Sequence, residues 1–154
     1  MSGAGALREV PPAALWPGLA GLLPFIACAL LPLATDPAWH PLLQQALVAY
    51  GAVILTFIGA IHWGVALMAP PHPGRAVLFG WSVVPAFWGW LALFPSFVAS
   101  LTMLGAGFIV QFAADYRAAG EFGLPAWYLA FRSLLTSGVL LSLLLASLAA
   151  TLAG

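Results

Sequence analysis

Residues 43–69 read LQQALVAYGAVILTFIGAIHWGVALMA, an apolar run without one Asp, Glu, Lys or Arg. About 20 helical residues cross the roughly 30 Å hydrocarbon core of a bilayer, so this run is long enough to span it. Working outward, comparable runs occupy residues 13–33, 76–94, 97–114 and 126–150. Between them lie Thr35-Asp36-Pro37, Pro70-Pro71-His72-Pro73-Gly74-Arg75, Pro95-Ser96 and the segment 115–125, all rich in residues that stop helices. The pattern predicts an all-α polytopic membrane bundle of five transmembrane helices, a single membrane domain over residues 1–154 with little material outside the bilayer. The first run, longer than the core of a signal peptide and interrupted by Pro17, Pro24 and Pro32, is expected to be retained as a span.

Composition points the same way. Apolar residues make up 64% of the 154 and charged residues 5%, against about 25% charged in an average soluble domain. With four Arg, no Lys and four acidic residues, no basic patch is available for nucleic acid, which is excluded as a partner. One cysteine, Cys28, rules out an internal disulfide and a cysteine-based metal cluster. The lipid bilayer is the expected surrounding, with a membrane-protein partner or a homodimer as further associations.

Cytoplasmic flanks retain Lys and Arg, so the arginines orient the chain. Arg8 precedes the first span, Arg75 lies between the second and third, and Arg117 and Arg132 flank the fourth-to-fifth junction. With five spans all four fall on one side, which predicts a cytoplasmic N-terminus and a periplasmic C-terminus. The absence of Lys, the abundance of Ala, Leu, Gly and Pro, and an N-terminus poor in Arg and Ser predict a bacterial inner (plasma) membrane protein.

Small residues let helices approach in lipid. Ala52, Thr56, Ala60 and Gly64 form a four-residue stripe on the second span, expected to be an intramolecular packing face or else a homodimer seam, and Gly138, Ser142, Ala146 and Ala150 repeat the spacing on the fifth. The third span is aromatic, with Trp81 and Trp90 near its ends as expected interfacial anchors and a ligand-cavity wall as the alternative.

Polar side chains at membrane depth cost several kcal/mol by order of magnitude, and few occur here. His62 lies in the last third of the second span; Gln111 and Asp115 share a face at i, i+4, as do Tyr128 and Arg132. All five belong to the cytoplasmic half of the bilayer, on three helices. They form a candidate polar cluster built on an Asp115–Arg132 pair: a structural clamp, or a site for a substrate or proton in which His62 is the one residue type that ordinarily titrates near neutrality. A lone intramembrane histidine predicts no metal or haem, and no cofactor is expected. HExxH, GxSxG, Walker and CxxC patterns are missing and no nucleophile stands beside a base, so no enzyme activity and no catalytic residue are expected.

The stretch 50–64, YGAVILTFIGAIHWG, resembles the signature of the domain of unknown function 3429 family. Pro85 with Trp90, Gln111 with Asp115, and LPAWY at 124–128 with Arg132 and Thr136 follow that family's second half in order and spacing. The resemblance covers about residues 15–145 and implies a small multi-span membrane protein without an assigned reaction. A membrane scaffold or assembly-type factor is the first expectation. A small carrier or receptor for a lipid or small molecule, with a cavity beside His62 walled by third-span aromatics, is the alternative.

Overall fold

Hydrocarbon offers no water to bond backbone N–H and C=O groups, so apolar runs of this kind satisfy them internally as helices. The computed structural model of the protein describes residues 3–153, all helix and connecting turn. Helix α1 is Gly3–Leu7, α2 Pro12–Ala20, α3 Leu23–Leu30, α4 His40–Met68, α5 Arg75–Leu91, α6 Phe97–Phe122 and α7 Ala126–Ala153. Among the described residues four segments, Pro12–Leu33, Pro37–Met68, Phe97–Phe122 and Ala126–Leu152, are long and apolar enough to cross a membrane. Helix α5, with 17 residues, is shorter. Phe57, Phe87, Phe94, Met68 and many leucines stand exposed on the outside, as a lipid-facing surface requires.

The first predicted span is two helices. Pro17 lies inside α2, which stops at Gly21, and Pro24 opens the first turn of α3, where its missing N–H costs nothing. The Tyr50 hydroxyl of α4 donates to the Gly21 carbonyl at 3.1 Å, meeting an acceptor at the break. Phe25 packs edge-on against Tyr50 and Phe108, with ring centroids 5.1 and 6.0 Å away, at the head of a core that includes Leu47, Leu55, Leu104 and Leu143.

The fourth predicted span ends two turns too early. Instead of stopping at Ala114, α6 runs to Phe122, because Asp115 is buried and paired within the helix and does not break it. Termination comes at Gly123, whose φ of 67° is left-handed, with its N–H and that of Leu124 donating to the Ala119 carbonyl. Pro125 then bars continuation.

Helix α4 is central and packs against α3, α5 and α6, while α7 packs on α1, α3 and α6. Its buried residues Gly51, Leu55, Ile58, Gly59, His62 and Ala66 follow the 3.6-residue period. The predicted stripe does not. Ala52 is buried against Gly89 of α5, but Thr56, Ala60 and Gly64 turn outward. At about 100° per residue a strict four-residue spacing drifts about 40° per step, and on α4 it carries these three residues from the α5 contact to the outer face. The close approaches are at Gly51 against Leu104, Gly59 against Pro85 and Gly107 against Leu55 and Trp88. On α7 the expected small face does point inward: Gly138 meets Leu22, and Ser142 and Ala146 are buried.

A methyl placed on Gly59 would lie 2.6 Å from Cγ of the rigid Pro85 ring, whereas one on Gly64 would meet nothing within 4 Å. Gly59→Ala is therefore expected to lower the melting temperature in detergent by overpacking, about 1–3 kcal/mol, despite alanine's better helix propensity. Gly64→Ala is expected to raise it slightly. Equal shifts of one sign in the two variants would refute this packing.

Candidate functional site

The polar side chains expected at depth meet in one place. Helix α4 delivers His62 from its buried face, α6 delivers Gln111 and Asp115 one turn apart, and α7 delivers Tyr128 and Arg132 at the same spacing. Asp115 has no exposed surface and Gln111 about 1%. Asp115 Oδ2 accepts from Arg132 Nε at 2.8 Å, and Oδ1 accepts from Gln111 Nε2 at 3.0 Å. Tyr128 lies beside both Asp115 and Arg132.

Helix α5 adds a residue expected elsewhere. Trp81, predicted as an interfacial anchor, is half-buried and donates its indole N–H to Gln111 Oε1 at 3.0 Å. Trp90 is the exposed one, at 56%. A second missed member is Thr136, buried on α7 one turn beyond Arg132. Both carried a sequence signal: an indole N–H within an apolar span needs an acceptor, and 128, 132 and 136 continue one i, i+4 row.

The donor inventory fixes the direction of each bond. Indole N–H only donates, so the Gln111 oxygen faces Trp81 and its amide nitrogen faces the other way. That nitrogen donates to Asp115 and also lies 3.2 Å from His62 Nδ1, which is then an acceptor. Neutral His62 thus carries its proton on Nε2, 3.7 Å from Asp115 Oδ1 and beyond hydrogen-bond range. Among the described residues, His62 Nε2, Tyr128 Oη, Arg132 Nη2 and Thr136 Oγ1 are buried without a hydrogen-bond partner. The Asp115 and Arg132 charges cancel, and the centre still holds unused donors.

A cleft of about 500 Å³ between α5 and α6 reaches this centre, lined by buried His62 and half-buried Trp81 and, at its rim, by exposed Val77, Arg117 and Glu121. Trp81 is the α5 aromatic in its wall. His72 does not line the cleft but pairs with a residue that does, its Nδ1 3.3 Å from Glu121 Oε1 at the surface.

A family model described as protein of unknown function (DUF3429) matches residues 10–148, which include every residue of the polar centre. Transmembrane protein 69 of Xenopus tropicalis is 38% identical over 144 residues, 90% of this chain and 54% of that protein. Transmembrane protein 69 of Mus musculus is 38% identical over 89 residues, 56% of this chain and 36% of that protein. The chain therefore spans about half the length, or less, of these curated relatives. No solved structure matches.

Removing one member of a buried ion pair strands the other, at a cost of about 3–5 kcal/mol, while replacing both with apolar residues is often neutral. Asp115→Leu and Arg132→Leu are each expected to lower thermal stability sharply in detergent, and the double variant to recover most of the loss. Additive losses in that double-mutant cycle would show that the two residues do not act as a pair.

Proposed function

The chain belongs to the DUF3429 family of proteins of unknown function, and from that membership and its polar centre we propose that it is a small non-enzymatic carrier or receptor for a small molecule or lipid in the bacterial plasma membrane. The observation that supports this best is the α5–α6 cleft ending on His62, whose Nε2 has no hydrogen-bond partner among the described residues. A purely structural clamp would leave its buried polar atoms paired, since each unpaired one costs about 1–3 kcal/mol. A polar guest entering the cleft relieves that cost.

The scaffold or assembly-factor reading has its own support in the bonds that tie α5, α6 and α7 through Gln111 and Asp115. It needs no cleft and no unpaired donors.

Five spans fit this role, with the N-terminus cytoplasmic and the C-terminus periplasmic. Helix α5, at about 1.5 Å per residue, is roughly 26 Å long, close to the hydrocarbon thickness of about 30 Å. Arg75 bonds the Ala66 carbonyl at 3.0 Å, and His72 pairs with Glu121, so the 69–74 loop and the end of α6 lie at one end of the bundle. By the positive-inside rule that end faces the cytoplasm. The lack of Lys and the Ala, Leu, Gly and Pro bias favour a bacterial membrane.

Single cysteines at Ala38, His72 and Ser96 in a Cys28→Ser background test the topology with an impermeant maleimide. Cysteines at 38 and 96 are expected to react from outside intact spheroplasts and the one at 72 only after permeabilisation; a cysteine at 96 that behaves like 72 would mean α5 does not cross. For the function, native mass spectrometry of gently purified protein is expected to show a stoichiometric small ligand that a folded His62→Ala variant loses. A stoichiometric protein partner with no small ligand would favour the scaffold instead.

A further inference from the structure

We infer that a second cleft, between the broken first span, α4 and α7, is a bilayer-entered site for a neutral, lipid-soluble ring compound bearing a carbonyl oxygen. It is separate from the cleft beside His62 and lies across the same polar centre. About 100 Å³ in volume, it is walled by Phe25, Phe57, Phe108 and Leu135, and its polar side chains are Arg132 and Thr136. Phe57 is 66% exposed on the outer face, so the opening is toward lipid.

Thr136 carries much of the case. A helical threonine normally bonds a carbonyl of the preceding turn. In this chain the helical residues Thr56, Thr102 and Thr151 all do so, at 2.9 Å each. Thr136 does not. Its hydroxyl is buried without a partner among the described residues, and so is Arg132 Nη2 one turn away; the two residues are 6% and 7% exposed. A buried hydroxyl withheld from its own helix beside a guanidinium with unused N–H groups is a pair of donors seeking an acceptor.

The acceptor is neutral on electrostatic grounds. Arg132 is already compensated by Asp115 at 2.8 Å, so a carboxylate or phosphate arriving here would gain little from the arginine and be repelled by the aspartate. A carbonyl oxygen accepts two hydrogen bonds with no added charge. Three phenylalanines around so small a volume suit one flat ring, with any alkyl tail left in the bilayer, and leave no room for a two-chain glycerolipid backbone.

The test uses the full-length protein in nanodiscs of ether-linked phosphatidylcholine, which contains no carbonyl, with 2-decyl-1,4-benzoquinone as probe and decylbenzene and decanoate as controls. Saturable one-to-one binding of the quinone, with neither control binding comparably, is expected. Thr136→Val keeps the shape, removes the hydroxyl, and is expected to weaken binding at least tenfold, whereas Thr136→Ser retains it. Equal binding of decylbenzene would reduce the site to an apolar crevice, tighter binding of decanoate would overturn the neutral acceptor, and loss of quinone binding in ester-linked lipid would make the lipid carbonyl the occupant. Each overturns the proposal, and the probe series decides even where a variant fails to fold.

Discussion

A carboxylate with no exposed surface, inside a bundle whose outer face is apolar, is costly unless its charge is compensated and both its oxygens are hydrogen-bonded. Asp115 meets that demand with Arg132 on one oxygen and Gln111 on the other, and the rest of the architecture follows from keeping those partners in reach. Gln111 can present its amide nitrogen only because Trp81 occupies its oxygen, so α5 is held to α6 by the same bonds that satisfy the acid. The distances require close backbones. Gly107, one turn before Gln111, admits Leu55 and Trp88, and Gly59, one turn before His62, admits Pro85.

Much of this was legible in the sequence, and the exceptions have physical causes. Long uncharged runs declare helices at membrane depth because no other backbone arrangement satisfies its own polar groups there. His62, Gln111, Asp115, Tyr128 and Arg132 stood out because polar side chains are costly at that depth, and helical spacing gathered them. What pattern alone missed depends on partners. The polar residues from Asp115 onward read as a helix end, yet α6 continues to Phe122, because a charge compensated by Arg132 and bonded by Gln111 does not stop a helix. Trp81 is an anchor or a donor according to which neighbour faces its indole. Of the stripe Ala52, Thr56, Ala60 and Gly64 only Ala52 packs within the chain while the other three turn outward, and the glycines that matter for packing are those opposite a rigid or bulky neighbour.

The polar centre also separates two environments. On the α5–α6 side the cleft is rimmed by Arg117 and Glu121, side chains that belong near water, with His72 paired to Glu121 beside it. On the α4–α7 side it meets Phe57 and leucines that belong in lipid. The hydrogen bonds between the two have a fixed polarity, with indole, amide and guanidinium all donating toward acceptors that end at one carboxylate. A change at His62 on one face is thus connected, through Gln111 and Asp115, to Arg132 on the other.

The sharp left-handed cap at Gly123 bears on how such a chain enters a bilayer at all. It folds α6 back on α7 through a turn of three residues, so that Asp115 and Arg132, only 17 positions apart, lie side by side on adjacent helices. Their opposite charges are thereby joined by the shortest connection between the long helices α4 to α7. The two helices can enter the bilayer together as a hairpin of zero net charge, with Asp115 and Arg132 each shielding the other from hydrocarbon before the more distant histidine and tryptophan take their places.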